Sequence, residues 1–290
     1  AFDLFHFMTK ADALALDKAL SPEKRVLIVG AGLIGLKCFE GIAARVKSAR
    51  FVDLAPRILP AILDETGAKM VQSALEARGA AFFLSDSVLR FEGNTAHLKS
   101  GKTVAFDLLV IAVGVRPNTE LMKEAGGEVR RGIAVDECGR TSLPDIFAAG
   151  DCAESFDIAS GTSKVLALLP NAAFQGRAAG VNMAGGKAKL DNAVAFNSIG
   201  FFGTHVMTAG VYEGEMYCER TERTYKALFT KDGLLKGFIL INLPERAGIY
   251  LKLLKERIPL GTVDFEALKT SPAWSAFSPE ARAKNFAREV

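Results

Sequence analysis

The run Arg25-Val26-Leu27-Ile28-Val29 passes without a break into Gly30-Ala31-Gly32-Leu33-Ile34-Gly35. Few features restrict a fold as tightly as this one. An unbroken apolar strand is buried on both faces, as in a parallel sheet. The three glycines then permit a tight turn at Gly30, close approach of a pyrophosphate at Gly32 and close packing of the next helix at Gly35. The bare pattern is common, and a glycine turn without a ligand is its alternative. Context separates the two. An apolar helix follows to about Val46, then a strand from Ala49 to Leu54 that carries Asp53, 23 positions after Gly30.

Read this way, the backbone N–H groups of Leu33, Ile34 and Gly35 face phosphates at a helix N-terminus. Asp53 accepts from the adenosine ribose hydroxyls and repels a 2′-phosphate, which favours NAD(H). Arg57, a cation nearby in sequence, pulls the other way. Lys37 and Glu40 follow on the same helix, either toward the nicotinamide end or simply solvated. A helix over 61–78 and a strand over 81–85 continue the α/β order.

Three short alternating strands then fill 88–107, separated by Gly93-Asn94 and Ser100-Gly101, and predict a β-meander. Leu108–Gly114 reverts to a buried strand. Further strand and helix signals cover Ile146–Asp151 and Asn171–Met183. Beyond residue 191 the pattern is α+β, with a hairpin about Asp232-Gly233 and an amphipathic helix over Arg246–Glu256. The segment 1–20 reads as a lead-in holding one helix, Ala11–Leu20.

Composition excludes several classes. A net charge of +3 over 290 residues gives no basic patch for nucleic acid or a membrane surface. No stretch approaches the ~18 apolar residues of a membrane helix. Cys38, Cys138, Cys152 and Cys218 form no C-x-x-C pair, so neither a metal site nor a dithiol follows; each is expected to be mostly buried. The lack of a signal-peptide pattern suggests the cytoplasm.

Two later motifs carry a family resemblance. Ala112-Val113-Gly114-Val115-Arg116-Pro117-Asn118 and Thr141-Ser142-Leu143-Pro144-Asp145-Ile146-Phe147-Ala148-Ala149-Gly150-Asp151 resemble the pyridine nucleotide–disulfide oxidoreductase superfamily. Phe7-Met8-Thr9, Phe196–Gly200 and Glu245–Tyr250 resemble its branch of NADH oxidases, NADH–rubredoxin reductases and nitrite reductase flavin domains. The resemblance implies a crossover segment (1–22), a Rossmann-like NAD-binding domain with its meander (23–118), the later part of an FAD-binding domain (119–190) and a C-terminal α+β domain (191–290).

It also implies FAD beside NAD. Gly150 and Asp151 meet the flavin ribitol, the 171–183 helix faces the pyrimidine edge, and Gly114 lies beside NAD(H). A helix dipole there favours reduced-flavin charge by about 0.5–1 kcal/mol. The superfamily has two glycine turns, and this chain matches the second. About a hundred residues of flavin-binding chain are therefore expected ahead of Ala1, and residues 1–290 alone are expected to hold FAD weakly and to be inactive. Where many relatives have Glu, this chain has Lys37.

The implied activity is FAD-dependent transfer of hydride from NADH to a small-molecule or small redox-protein acceptor, in a homodimer formed through the C-terminal domain. A flavin-free dehydrogenase and a non-catalytic NAD-binding module are the alternatives; the first lacks a proton-transfer group, since His6, His97 and His205 are scattered.

Overall fold

The computed structural model describes residues 2–286, which cluster into two compact units, Ala1–Val115 with Ile199–His205, and Arg116–Ser198 with Val206–Val290. In the first unit, β1 (Asp3–His6), α1 (Lys10–Ala19), β2 (Arg25–Val29), α2 (Leu33–Ile42), β3 (Ser48–Val52), α3 (Glu65–Glu76) and β4 (Ala80–Phe83) lead to the meander β5 (Val88–Glu92), β6 (Thr95–Leu98) and β7 (Thr103–Ala105), and then to β8 (Leu108–Ile111). Five strands form a wholly parallel sheet in the order β1-β8-β2-β3-β4.

Alternation along the strands assigns two faces. Leu27, Val52 and Leu109 pack with Leu98, Val104 and Phe106 of the meander. Phe51 points the other way, edge-on to Phe39 of α2 at 5.8 Å. The buried stripe Leu36, Cys38, Phe39 and Ile42 thus covers the second face. Each fully buried side chain of Leu or Phe size stabilises this packing by about 1.5–3 kcal/mol.

Two boundaries differ from expectation. Asp3–His6 is an edge strand parallel to β8 rather than part of an irregular lead-in. Only Phe5 in it is half-buried, so its hydrophobic pattern is too thin to announce a strand, and the ladder to β8 decides. Helix α3 begins at Glu65 instead of 61 because Asp64 caps it, its Oδ1 accepting from Gly67 N at 2.8 Å.

The second unit contains α4 (Glu120–Glu124), the hairpin β9 (Glu154–Asp157) and β10 (Thr162–Val165), and α5 (Leu169–Met183). Then come β11 (Phe196–Phe201) and β12 (Thr204–Gly210), whose tip at Ile199–His205 is counted with the first unit, and β13 (Glu215–Arg220), β14 (Tyr225–Lys231), β15 (Leu234–Ile241), α6 (Ala247–Lys255), α7 (Phe265–Thr270) and α8 (Pro279–Phe286). The last five strands pair as an antiparallel sheet, β11-β12-β15-β14-β13. Asp232 and Gly233 both adopt positive φ, 54° and 70°, as the two-residue hairpin turn requires. Helix α6 packs on this sheet through Tyr250, Leu253 and Leu254, against Leu228, Phe238 and Leu240. Lys226 is buried here, its Nζ donating to Glu219 Oε2 (2.8 Å) and to the carbonyls of Lys269 (2.6 Å) and Thr270 (3.1 Å) at the end of α7.

The strand expected over Ile146–Asp151 is absent. Its backbone makes one isolated bridge, Arg140 to Phe147, and Ile146 is exposed. Among the described residues no neighbouring strand receives it, and an apolar run without a ladder is not a strand. No helix among these residues is long and apolar enough to cross a membrane.

One polar clamp joins β2 to β8. Arg25 donates from Nε and NH2 to Asp107 at 2.9 Å each, and its backbone N donates to the same carboxylate at 2.8 Å. These hydrogen bonds outweigh partial desolvation and pull the Asp107 carboxyl down to about 2. Because the folded pKa is depressed, the stabilisation is complete above the ordinary carboxylate pKa of ~3.9 and fades as pH falls toward 2. Allowing for solvent screening it is worth about 1 kcal/mol. Asp107→Asn should lower unfolding free energy at pH 7 by about that amount, with the gap from the parent narrowing between pH ~4 and ~2 in denaturant titrations.

Candidate functional site

The carboxyl ends of β2, β3 and β8 form an open edge where the chain reverses direction in the sheet, the usual ligand crevice of such folds. Gly30 sits there with φ +111°, and a Cβ on it would lie 2.3 Å from the Ala112 carbonyl oxygen. A Cβ on Gly35 would lie 2.1 Å from the Gly30 oxygen. Packing alone therefore accounts for both residues.

Gly32 is different. Its φ of −85° and ψ of −171° suit any residue, and a Cβ there would meet nothing within 4 Å. Within 4 Å of a Cβ no part of the described chain requires glycine at this position, and the space beside it is open.

The turn also leaves a helix N-terminus uncapped. Gly32 caps α2 with no side chain, and the first turn holds no acidic residue. Helices α1, α3 and α7, by contrast, are capped by Thr9, Asp64 and Asp264. Half-buried Leu33 and Ile34 and buried Gly35 thus present open N–H groups and the positive end of the helix dipole.

Asp53 lies directly after β3. Its Oδ2 accepts from Ala31 N at 2.6 Å and its Oδ1 from Ala55 N at 2.8 Å. A carboxylate has about four acceptor positions, so two remain for hydroxyl donors. Arg57 is turned toward its own loop, its Nε donating to Leu63 O at 3.1 Å. Gly114 follows β8 in a left-handed conformation, φ +109°, with open space where a Cβ would be. Sequence reasoning missed the apolar rim: Leu54 and Val113 are 77% and 70% exposed at the ends of β3 and β8. The signal was a large apolar residue placed just beyond a strand's carboxyl end.

Lys37 is exposed, as the solvated reading expects, and Glu40 is half-buried, but both are engaged by the chain itself. They pair with each other, Lys37 Nζ donates to Gly200 O at 3.2 Å, and Phe202 N donates to Glu40 Oε1 at 2.6 Å. The Phe202 ring stands against Phe39 at 5.4 Å. The pair is a bracket that fixes the tip between β11 and β12 onto α2. Burial opposes ionisation of Glu40, but the bonds from Lys37 and Phe202 prevail and lower its pKa.

In the second unit, the Gly150-Asp151 turn rides over the first turns of α5. Gly150 N donates to Gln175 Oε1 at 2.7 Å. Asp151 is exposed and makes no hydrogen bond or ion pair among the described residues. Helix α5, like α2, lacks a side-chain cap and a first-turn acid, and Pro170 opens it. An exposed carboxylate next to an uncapped helix end suits a ligand with hydroxyls and an electron-rich edge. A 350 Å³ cavity in this unit, lined by Lys226, Arg246 and Tyr250 among others, lies at neither turn.

The cysteines are less buried than expected. Only Cys38 is enclosed, and desolvation pushes its thiol up to about 12. Cys138 and Cys152 are half-buried and Cys218 is exposed. Among the described residues no group of His, Cys, Asp or Glu gathers to hold a metal ion. His97 pairs with Glu92 in the meander at 3.0 Å.

A family model described as pyridine nucleotide-disulphide oxidoreductase matches residues 1–176. Over 265 residues the chain is 32% identical to the NADH-dependent phenylglyoxylate dehydrogenase subunit epsilon of Aromatoleum evansii, covering 87% of this chain and 63% of that one. It is 37% identical over 193 residues to an NADH oxidase of Methanocaldococcus jannaschii, covering 64% and 43%. The chain therefore spans less than two thirds of either relative. A crystal structure of an FAD-dependent pyridine nucleotide-disulphide oxidoreductase from Desulfovibrio vulgaris superposes with a TM-score of 0.79 at 25% identity, covering 91% of this chain and 72% of that one.

The two close approaches at the glycine turn give a stability prediction. Alanine is favoured over glycine within a helix by about 1 kcal/mol, but at Gly35 the clash with Gly30 O must dominate. Gly35→Ala should cost about 2 kcal/mol net, a fall in Tm of roughly 4–8 °C for a chain of this size; calorimetry checks it.

Proposed function

The chain belongs to the pyridine nucleotide-disulphide oxidoreductase family, whose members use FAD and NAD(H), and we propose that it serves an FAD-dependent NADH:acceptor oxidoreductase. The observation that carries this reading is Gly32, a glycine that neither backbone conformation nor packing requires. A pyrophosphate seated on the N-terminus of α2 supplies the missing reason. In this reading Leu33, Ile34 and Gly35 donate their N–H groups to it. Asp53 accepts from the ribose hydroxyls, and its negative charge disfavours NADPH. Leu54, Val113 and Gly114 shield the nucleotide from water along the sheet edge.

Gly150, Asp151 and the N-terminus of α5 form the flavin side, with Asp151 accepting from hydroxyls and the helix dipole favouring negative charge. Bound FAD supplies hydride acceptance from the nicotinamide and onward electron delivery. The chain's own residues bind, orient and exclude water. The final acceptor is a small molecule or a small redox protein. The fold does not choose between them, and the relatives' names range from an oxidase to a dehydrogenase subunit.

Two measurements test the reading. Full-length protein should show oxidised-flavin absorbance that NADH bleaches; colourless protein inert to NADH contradicts it. Gly32→Ser is the sharper test, because serine is a better helix N-cap than glycine. Its Tm should hold or rise, while NADH affinity falls about tenfold, ~1.4 kcal/mol. Wild-type affinity in the folded variant would remove the ground for placing a pyrophosphate there.

A further inference from the structure

Gln175 lies on α5, one turn beyond Asn171, and is 6% exposed. All its hydrogen-bonding groups are engaged. Its Oε1 accepts from Gly150 N at 2.7 Å, and its Nε2 donates to Glu154 O at 3.2 Å and to Ser155 Oγ at 2.5 Å. One side chain thus joins three elements: the Gly150-Asp151 turn, the helix under it and the start of β9. Backbone bonds secure the flanks of the turn, Ala148 N donating to Gly139 O at 3.0 Å, Ile133 N to Cys152 O at 2.7 Å and Ala153 N to Gly150 O at 3.0 Å, but none of these runs to α5. Gly150 is left-handed at φ +84°, and the nearest atom to a Cβ there would be Ala172 Cβ at 3.9 Å, an ordinary contact. The Gly150–Gln175 bond is what ties this turn, with its exposed carboxylate, directly to α5.

We propose that Gln175 is a positioning residue for the flavin: it holds the Gly150-Asp151 turn at one fixed spacing from the N-terminus of α5. This rests on the function proposed above, in which Asp151 and the α5 N-terminus contact different parts of one ligand. A ligand that meets both elements needs their separation held to about half an ångström. The hydrogen bond from Gly150 N sets that separation, because it runs directly from the turn to the helix. Without it a half-buried N–H is left unsatisfied and the turn is free to shift. Gln175 does not itself reach the ligand; it acts through Gly150 and Asp151.

The test compares two variants in full-length protein. Gln175→Met keeps the length and apolar volume but loses the acceptor. Gln175→Glu keeps an acceptor for Gly150 N. The readouts are FAD affinity from flavin fluorescence, the visible circular dichroism of bound flavin, the Tm of the apoprotein, and NADH affinity as a control on the other unit. Gln175→Met should weaken FAD binding about tenfold and alter the flavin dichroism, with NADH affinity unchanged. Gln175→Glu should stay within about threefold of wild type and keep the dichroic band.

A folded Gln175→Met protein with wild-type FAD affinity and dichroism overturns the proposal even if its Tm drops, since the role is then structural only. If Gln175→Met does not fold, Gln175→Glu decides: retained affinity and dichroism support the proposal, and a tenfold loss overturns it. Wild-type protein that takes up no FAD overturns the functional reading and this proposal together. Wild-type uptake with unaltered variants overturns the proposal alone.

Discussion

In the first unit α2 passes so close to the end of β2 that only the hydrogens of Gly35 fit beside the Gly30 carbonyl. That contact brings the helix low enough for Leu36, Phe39 and Ile42 to reach the sheet, and it brings the open N–H groups of the first turn to the sheet's carboxyl edge. It also sets where the outer side of α2 stands, and hence where Lys37 and Glu40 receive Gly200 and Phe202. A helix held even a side chain's width further out would lose both the buried stripe and the anion-facing end.

Helix termini are closed in different ways. The chain caps α1 with Thr9 and Asp12, α3 with Asp64 and α7 with Asp264, and leaves α2, α4, α5 and α6 without a side-chain cap. At α2, α5 and α6 the first turn also holds no acidic residue. Against a good capping residue, Leu168 at α5 forgoes about 1 kcal/mol and Gly32 at α2 only a few tenths. What sets α2 and α5 apart is that each end stands beside a glycine with positive φ and an aspartate, Gly30 with Asp53 and Gly150 with Asp151. The two halves of the proposed cofactor machinery follow one local plan.

How much of this was legible depended on how local the cause was. The strand–turn–helix at 25–42, the meander and the Asp232-Gly233 hairpin are written in consecutive residues, and the structure contains them all. Edge strand β1 was not legible, because Leu4 and His6 are exposed and its partner β8 lies a hundred residues away. Ile146–Asp151 failed in the opposite sense: the apolar pattern is there, but a strand exists only with a neighbour. At the candidate site the glycines and Asp53 could be read from spacing. The tether at Gln175 and the bracket of Lys37 and Glu40 could not, since each joins segments separated by 20 to 163 positions. Gly32 stands between these cases. Its place in the motif was visible, but that it alone of the three lacks a packing reason required coordinates.

Asp53 is a hydrogen-bond acceptor, and its two backbone bonds also freeze it. With Ala31 and Ala55 holding one oxygen each, the carboxylate has a single rotamer before any nucleotide arrives, so a ribose meets a group with no freedom left to lose. The same rigidity couples two properties. A substitution that relaxed cofactor preference at this position would also release the Ala31 amide and loosen the glycine turn. Under the proposed function, drift from NADH toward NADPH is closed to single substitutions here, because the residue that discriminates is also a brace of the turn it serves.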